Sequence, residues 1–223
     1  MSKGGFKQDL FAQFARVGKA LSHANRLELL EFLAQGERGV EALATVAGLT
    51  VANTSQHLQQ LRQAGLVNSR KQGAKVLYSL SGNDVIEMLD VLRRVAEKRL
   101  AEVERLVNTF LTVKDDLEPI PREELLDRVR EGLVTVLDVR PSEEYDAGHV
   151  PGAINVPMSA LEKQLEQMEA DKQVVAYCRG PHCILAFSAV ARLREEGFDA
   201  RRLEDGFPEW KSAGLPFDET KDD

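Results

Sequence analysis

Apolar residues in the first half of the chain recur every three or four positions, which is the spacing of amphipathic helices. Thr50 is placed to cap one of these helices, while Gly48 and Gly65 are placed to end two of them. The pattern predicts four helices, over residues 6–21, 26–33, 40–47 and 50–63.

A hairpin and a long helix are predicted next. Residues 67–80 form two short strand patterns around Gly73. From Asn83 to about Leu111, apolar residues fall on heptad a and d positions, with Arg99 as the one break. A helix of about 28 residues is about 42 Å long, which is more than so small a domain needs. This length predicts a dimer interface along the helix.

In the second half, short apolar runs alternate with helical patterns. Residues 134–139 and 174–177 predict buried strands, while residues 161–169 and 184–196 predict helices. Such alternation is typical of a small α/β domain whose sheet is largely parallel. The sequence therefore predicts two domains, a mainly α domain followed by an α/β domain.

Charge divides the chain at the same place. Residues 1–113 carry 15 basic and 11 acidic side chains, whereas residues 114–223 carry 14 and 25, so the net charges are +4 and −11. Between them, a charged segment with two prolines favours a stiff linker. We predict a first domain over residues 1–113, a linker over 114–119 and a second domain over 120–223. Only the first domain has a charge that suits a polyanion.

Composition narrows the cellular context. No apolar run approaches the roughly 20 residues that span a bilayer, and the N-terminus lacks the apolar core of a signal peptide. We therefore expect a cytoplasmic protein with no membrane partner. The two cysteines are too few for a disulfide framework, so we expect them to be reduced at rest and important for their reactivity.

The order helix, glycine-containing turn, helix and basic hairpin predicts a winged helix-turn-helix that binds double-stranded operator DNA. The second helix of this motif carries polar side chains that suit base edges and phosphates in a major groove. These predicted contacts are Asn53, Thr54, Ser55, Gln56, His57 and Gln59. On the same helix, Val51, Leu58 and Leu61 are expected to face the core. The predicted phosphate contacts of the hairpin are Arg70, Lys71 and Lys75.

Two segments carry a family resemblance. Residues 21–30, Leu-Ser-His-Ala-Asn-Arg-Leu-Glu-Leu-Leu, and residues 54–67, which begin Thr-Ser-Gln-His-Leu and end Ala-Gly-Leu-Val, resemble the ArsR/SmtB transcriptional repressors. The resemblance covers about residues 8–110. It implies a homodimer that pairs through the first and last helices and that releases DNA on binding an inducer.

The chain departs from the metal-sensing members of that family. The helix over residues 40–47 has no cysteine, and the long last helix has neither cysteine nor histidine. His23 and His57 alone do not make a closed site, which needs three or four convergent ligands. We therefore expect no metal site of the family's usual types and no cofactor in the chain, and the inducer signal must enter elsewhere.

Both cysteines lie in one six-residue loop, Cys178-Arg179-Gly180-Pro181-His182-Cys183, between a predicted strand and a helix that begins at Ile184. Loop amides and the dipole of a following helix stabilise a thiolate at such a position. Cys178 is therefore the candidate nucleophile. His182 either lowers a thiol pKa or is a solvated loop residue.

Residues 137–157 and 203–210 resemble the two signatures of rhodanese domains, and the resemblance covers about residues 120–216. In rhodaneses the cysteine at the strand end accepts a sulfane sulfur and holds it as a persulfide, and Cys178 falls on that position. Arg179 is a candidate for attracting an anionic donor. Scaffold roles are expected for Asp138, Arg140, Glu144 and His149.

The loop also departs from the common rhodanese form, which has glycine at its fourth position and arginine at its sixth. Here Pro181 is fourth and Cys183 is sixth. The missing arginine weakens the case for thiosulfate turnover, whereas the second thiol can resolve an oxidised or persulfidated Cys178. The alternative for Cys183 is a small, buried, inert residue at the start of the helix. It is also open whether so tight a loop permits a disulfide.

These observations favour a dimeric repressor whose rhodanese domain senses or carries reactive sulfur, with a small sulfur donor or acceptor as partner. One alternative is a sulfurtransferase whose DNA-binding domain regulates or localises it. A third is a metal- or arsenite-responsive repressor that uses the loop thiols.

Overall fold

The computed structural model describes residues 3–112, 118–168 and 172–220. The chain separates into two compact units, Met1–Leu89 and Asp90–Asp223. Most of the predicted linker, residues 114–117, lies outside the described residues. The second unit begins inside a helix, well before that predicted linker.

The first unit is mainly helical. Its elements are α1 (Lys3–Leu21), α2 (Ala24–Ala34), β1 (Arg38–Gly39), α3 (Val40–Val46), α4 (Val51–Gln63), β2 (Val67–Gln72), β3 (Lys75–Leu80) and the start of α5 (Asn83–Arg99). The three strands form an antiparallel sheet in the order β1-β3-β2, with Ser69 opposite Tyr78. The predicted helices and the hairpin are confirmed.

Local chemistry sets the ends of α4. The hydroxyl of Thr50 accepts a hydrogen bond from the Asn53 backbone amide at 3.2 Å, as an N-cap residue does. Gly65 follows the helix with a φ of +78°, a conformation that residues with a Cβ rarely adopt. Leu58 and Leu61 are fully buried against α2 and α3, so the apolar stripe of α4 fixes its orientation in this unit.

The prediction of one continuous helix from Asn83 to Leu111 is wrong. The helix α5 ends at Arg99, and Leu100 has an extended backbone with φ −112° and ψ 103°. The chain resumes as α6 (Ala101–Val107) and a π-helical turn over Asn108–Thr112. This turn packs against a helix of the α/β fold and buries Leu111. A heptad pattern records the spacing of apolar residues but not such a tertiary contact.

The rest of the second unit is an α/β fold. Its further elements are α7 (Arg122–Arg130), β4 (Val134–Asp138), α8 (Ser142–Asp146), β5 (Ile154–Asn155), α9 (Leu161–Leu165), β6 (Gln173–Tyr177), α10 (Ile184–Glu195), β7 (Ala200–Arg202) and α11 (Phe207–Ser212). The strands form an all-parallel sheet in the order β5-β4-β6-β7, which confirms the predicted fold class.

The strand β6 is central in this sheet and buried on both faces. Val174 and Ala176 pack on the side of α10, whereas Val175 and Tyr177 pack on the side of α7 and α11. Strands buried in this way are nearly continuous apolar runs, which explains why the pattern predicted them. Cys178 directly follows β6, so the sheet places it at the carboxyl edge, where open parallel sheets form their sites.

Candidate functional site

The exposed face of α4 carries only part of the predicted DNA-contacting set. Asn53, Gln56 and Gln59 are exposed, and Ser55 is half-buried. Thr54 is fully buried, and its hydroxyl donates to the Thr50 carbonyl at 3.0 Å. The expectation that Thr54 contacts DNA is therefore wrong, because it lies on the same helical stripe as Leu58 and Leu61.

His57 was also expected to contact DNA, and it too lies inward, with 7% of its surface exposed. Its ring lies 4.5 Å from that of His23, and its Nδ1 has no hydrogen-bond partner among the described residues. Burial lowers the pKa of His57, and the nearby His23 and Arg26 lower it further. Val51, which was expected in the core, is instead 47% exposed at the start of α4.

The hairpin presents basic side chains to solvent. Arg70, Lys71 and Lys75 are all exposed on β2 and β3. Arg70 donates from Nε to Glu37 at 2.8 Å, so its charge is partly compensated.

The cysteine loop joins β6 to α10. Cys178 is 1% exposed, whereas Cys183 is half-buried at the N-cap position of α10. The two cysteines are joined by a disulfide whose Cα atoms lie 6.1 Å apart, within the usual range for such bonds. The expectation that both thiols are reduced therefore does not describe this structure.

Backbone contacts hold the loop in place. The Cys183 amide donates to the Gly180 carbonyl at 3.1 Å, and the Phe207 amide donates to the Cys178 carbonyl at 3.1 Å. A Cβ at Gly206 would overlap the backbone of Arg179 and Gly180. The cysteine loop therefore packs directly against Gly206 and Phe207, at the start of α11.

Arg179 is engaged inside the second unit. Its guanidinium donates to both carboxylate oxygens of Glu144, at 2.8 and 2.9 Å, and Glu144 is 1% exposed. Arg179 is thus held in an ion pair on α8. This contact accounts for the position of Arg179 without any ligand.

A second buried ion pair supports the sheet below the loop. Arg140 donates from Nε to Asp138 at 2.9 Å and from Nη2 to the Gly148 carbonyl at 2.7 Å. The Tyr177 hydroxyl donates to Asp138 at 2.6 Å, and burial raises the pKa of Tyr177 well above its ordinary value. His149 stacks on Tyr145 with ring centroids 3.6 Å apart. These contacts connect Asp138, Arg140 and His149 to the surrounding structure, as expected for residues with a scaffold role.

Sequence reasoning missed a set of charged residues that surround the loop. His182 Nε2 lies 3.0 Å from Glu97 Oε1, and Arg93 donates to Glu209 at 3.0 Å. Glu209 also accepts from the Gly206 amide at 3.1 Å, and burial raises its pKa. The spacing of Arg93 and Glu97, one helical turn apart, was the available signal, but their partners are distant in sequence.

Metal sites and membrane-spanning helices were both sought among the described residues, 3–112, 118–168 and 172–220. Within them no group of three or more histidine, cysteine or acidic side chains is arranged to hold a metal ion. No helix among them is both long and apolar enough to span a bilayer.

Comparison with protein families matches both halves of the chain. The model of bacterial regulatory proteins of the arsR family matches residues 23–69, and that of rhodanese-like domains matches residues 121–213. The HTH-type transcriptional regulator Rv0324 of Mycobacterium tuberculosis is 46% identical over 213 residues, which cover 96% of this chain and 93% of that protein.

Other similar proteins match one half only. The HTH-type transcriptional regulator YgaV of Escherichia coli is 36% identical over 37% of this chain and 85% of its own length. A solution structure of the homodimeric winged helix-turn-helix DNA-binding domain of Mb0332 from Mycobacterium bovis is 42% identical, covers 45% of this chain and 91% of that chain, and has a TM-score of 0.42. The near full-length match decides the family: this chain is a transcriptional regulator of the ArsR family that carries a rhodanese-like domain after its helix-turn-helix domain.

Proposed function

We propose that this regulator is a repressor that responds to reactive sulfur through Cys178 and Cys183. The observation that carries the proposal is the pairing of the two cysteines on one loop, with Cys178 at the end of β6 and Cys183 at the start of α10. Two thiols that can be joined and separated give the loop two stable chemical states. Such a pair suits a switch better than a lone thiol does.

The chemistry proceeds in two balanced steps from the reduced pair. The Cys178 thiolate attacks the sulfane sulfur of a persulfide or polysulfide donor. An S–S bond forms on Cys178 as the S–S bond of the donor breaks, and the donor leaves as a thiolate or as a polysulfide shortened by one sulfur. The Cys183 thiolate then attacks the inner sulfur of the Cys178 persulfide, forming the disulfide and releasing hydrosulfide. The two cysteines are oxidised by two electrons, and the transferred sulfur is reduced.

The position of Cys178 supports its role as the first nucleophile. It lies beside the start of α10, a 12-residue helix whose N-terminal partial positive charge favours a thiolate. Cys183 is the more exposed of the two and occupies the N-cap itself. An incoming reductant would therefore attack Cys183 and release Cys178 as the leaving thiolate.

The operator would be bound by the exposed residues of α4 and the hairpin. Asn53, Gln56 and Gln59 supply amides that suit base edges, and Lys71 and Lys75 supply phosphate contacts. Thr54 and His57 are not part of this proposed interface, because both are buried.

We propose further that the protein acts as a homodimer. On α1, Phe6, Phe11 and Phe14 are 62%, 56% and 59% exposed. On α5, Val91 and Val95 are 49% and 55% exposed. Large apolar side chains clustered on a helix surface mark an interaction site. These are also the two helices through which the ArsR/SmtB resemblance implies pairing.

The test measures binding of the reduced protein to the DNA upstream of its own gene, before and after treatment with sodium polysulfide. Mass spectrometry of the peptide that holds both cysteines is run on the same samples. We expect affinity to fall as the peptide loses two protons or gains sulfur, and we expect Cys178→Ser to abolish the response. Unchanged DNA binding by a modified wild-type protein would overturn the proposal.

The match to rhodanese-like domains favours sulfurtransferase activity as a second candidate. Steady turnover of thiosulfate or mercaptopyruvate with cyanide, lost in Cys178→Ser but retained in Cys183→Ser, would support it. The same assay separates the two candidates, since a switch needs one round of chemistry and an enzyme needs many.

A further inference from the structure

We propose that Arg93 and Glu97 on α5 are positioning residues for the cysteine loop and that they link the chemical state of this loop to α5. The proposal has two parts. The positioning part rests on contacts within the second unit. The coupling part rests on the function proposed above, since it needs a loop whose chemistry changes.

The first contact joins α5 to the loop itself. Glu97 Oε1 lies 3.0 Å from Nε2 of His182, and each of these side chains is 37% exposed. His182 directly precedes Cys183, the half-buried partner of the disulfide. A carboxylate that accepts from the His182 ring therefore restrains the backbone next to one of the two sulfurs.

The second contact acts on the same loop indirectly, through Glu209 and Gly206. Arg93 donates to Glu209 at 3.0 Å, and Glu209 is 7% exposed, so this ion pair is well shielded from solvent. Glu209 also accepts from the Gly206 amide at 3.1 Å. Gly206 in turn lies against the backbone of Arg179 and Gly180, where even a methyl group would not fit. Displacement of Arg93 would thus shift Glu209 and Gly206, and with them the backbone against which the cysteine loop packs.

Both contacts come from one face of a single helix. Arg93 and Glu97 are four residues apart, so their side chains lie one turn apart on α5. The helix continues without interruption from Asn83 to Arg99, and Asn83 follows the end of β3 by only two residues. Arg93 and Glu97 therefore belong to the same helix that begins in the first unit.

Opening the disulfide would change what these contacts hold. With the bond closed, the two ends of the loop are fixed to each other and His182 has little freedom. With the bond open, or with a persulfide on Cys178, Cys183 can move with the start of α10, and His182 moves with it. Coupling is reciprocal, so α5 in its DNA-bound position must also change the reactivity of the cysteines.

The experiment compares the full-length wild type with Arg93→Gln, Glu97→Gln and the double variant. Two variants serve as matched controls: Arg94→Gln on α5, whose arginine is 66% exposed, and Glu102→Gln on α6, whose glutamate is 65% exposed. The first readout needs no DNA and is the rate at which dithiothreitol reduces the disulfide, followed by alkylation and mass spectrometry. Melting temperatures identify any variant that fails to fold, and Arg93→Lys provides a variant that keeps the charge.

We expect reduction to be faster by about two- to fivefold in Glu97→Gln, which is the lower part of the range for weakening one hydrogen bond. The effect in Arg93→Gln is expected to be larger, since it leaves Glu209 buried without its cation. Arg93→Lys should restore part of the wild-type rate, and the controls should match wild type. Equal rates in the double variant and the controls would overturn the positioning part.

The second readout is the loss of DNA affinity on polysulfide treatment, measured with the upstream DNA. If wild type responds and the double variant is modified without responding, the coupling part is supported. A full response in the double variant would overturn it. If wild type itself is modified but does not respond, the proposed function fails, while the reduction rates still decide the positioning part.

Discussion

The two candidate functional regions hold their side chains in opposite ways. The exposed face of α4 presents amides with few contacts to the rest of its unit, whereas the cysteine loop is packed on α11 and flanked by charged side chains that are already paired. A surface that binds DNA must leave its polar groups free for a partner. A loop that controls sulfur chemistry must instead fix its reacting atoms before any partner arrives.

The largest difference between the regions should be seen on removing a buried charge. Arg140→Met leaves the buried Asp138 carboxylate without its cation, which should lower the free energy of unfolding of the second unit by about 3–5 kcal/mol. Trp210 is the only tryptophan and is fully buried in that unit, so its fluorescence during urea unfolding measures the loss. Arg130→Met, on an exposed arginine, is the matched control and should change stability by less than about 0.5 kcal/mol.

A smaller loss should follow from crowding the loop. Gly206→Ala places a methyl group against the backbone of Arg179 and Gly180, and overpacking of this kind costs about 1–3 kcal/mol. The same variant should alter the rate of disulfide reduction, because the loop must shift to make room.

Gly18→Ala is the control for that prediction. Gly18 lies within α1 and has open space around it, so alanine there should stabilise the helix by about 0.5–1 kcal/mol. Equal effects at Gly206 and Gly18 would show that the loop is not held as tightly as its contacts indicate.

The same contrast explains which features of the two regions could be predicted from the sequence. The helical period located α4 and placed Leu58 and Leu61 in its core, and the alternation of elements predicted the parallel sheet. The same period also places Thr54 and His57 on the buried stripe, whereas their polarity favoured the exposed face. Attention to position rather than residue type would have corrected both.

The environment of the loop could not be predicted in this way. Arg93 and Glu209 are 116 residues apart, and neither residue belongs to a local pattern that names the other. The break at Leu100 is similar, since it accompanies a contact of Leu111 with a distant helix. The two motifs located the cysteine loop in the sequence, while the residues that contact this loop depend on tertiary packing.

The proposed DNA surface can be tested by separating two kinds of contact. Asn53→Ala or Gln56→Ala should weaken operator binding by about 1–3 kcal/mol and relax specificity at one base position, if each amide contacts a base edge. Lys71→Ala or Lys75→Ala should weaken binding to all sequences alike and reduce the salt dependence by about one ion. Titrations at several salt concentrations with operator and unrelated DNA distinguish the two.

Thr54→Val is the control for that surface, because its buried hydroxyl donates to the carbonyl of Thr50, the N-cap residue of α4. It should leave the salt dependence and the base preference unchanged. A loss of base preference in Thr54→Val would mean that α4 turns a different face to DNA.

The smallest expected effect is the pH dependence that His57 gives the first unit. Burial lowers the pKa of His57 in the folded protein, whereas in the unfolded chain it has its ordinary value of about 6.5. Between these two values the unfolded chain binds more protons, so stability from this group is complete above about pH 6.5 and is lost as the pH falls through the folded pKa. Melting temperatures of wild type and His57→Gln between pH 8 and 5.5 should therefore differ in slope, with the steeper fall in wild type. Parallel curves would show that the buried ring takes up its proton as easily as a solvated one.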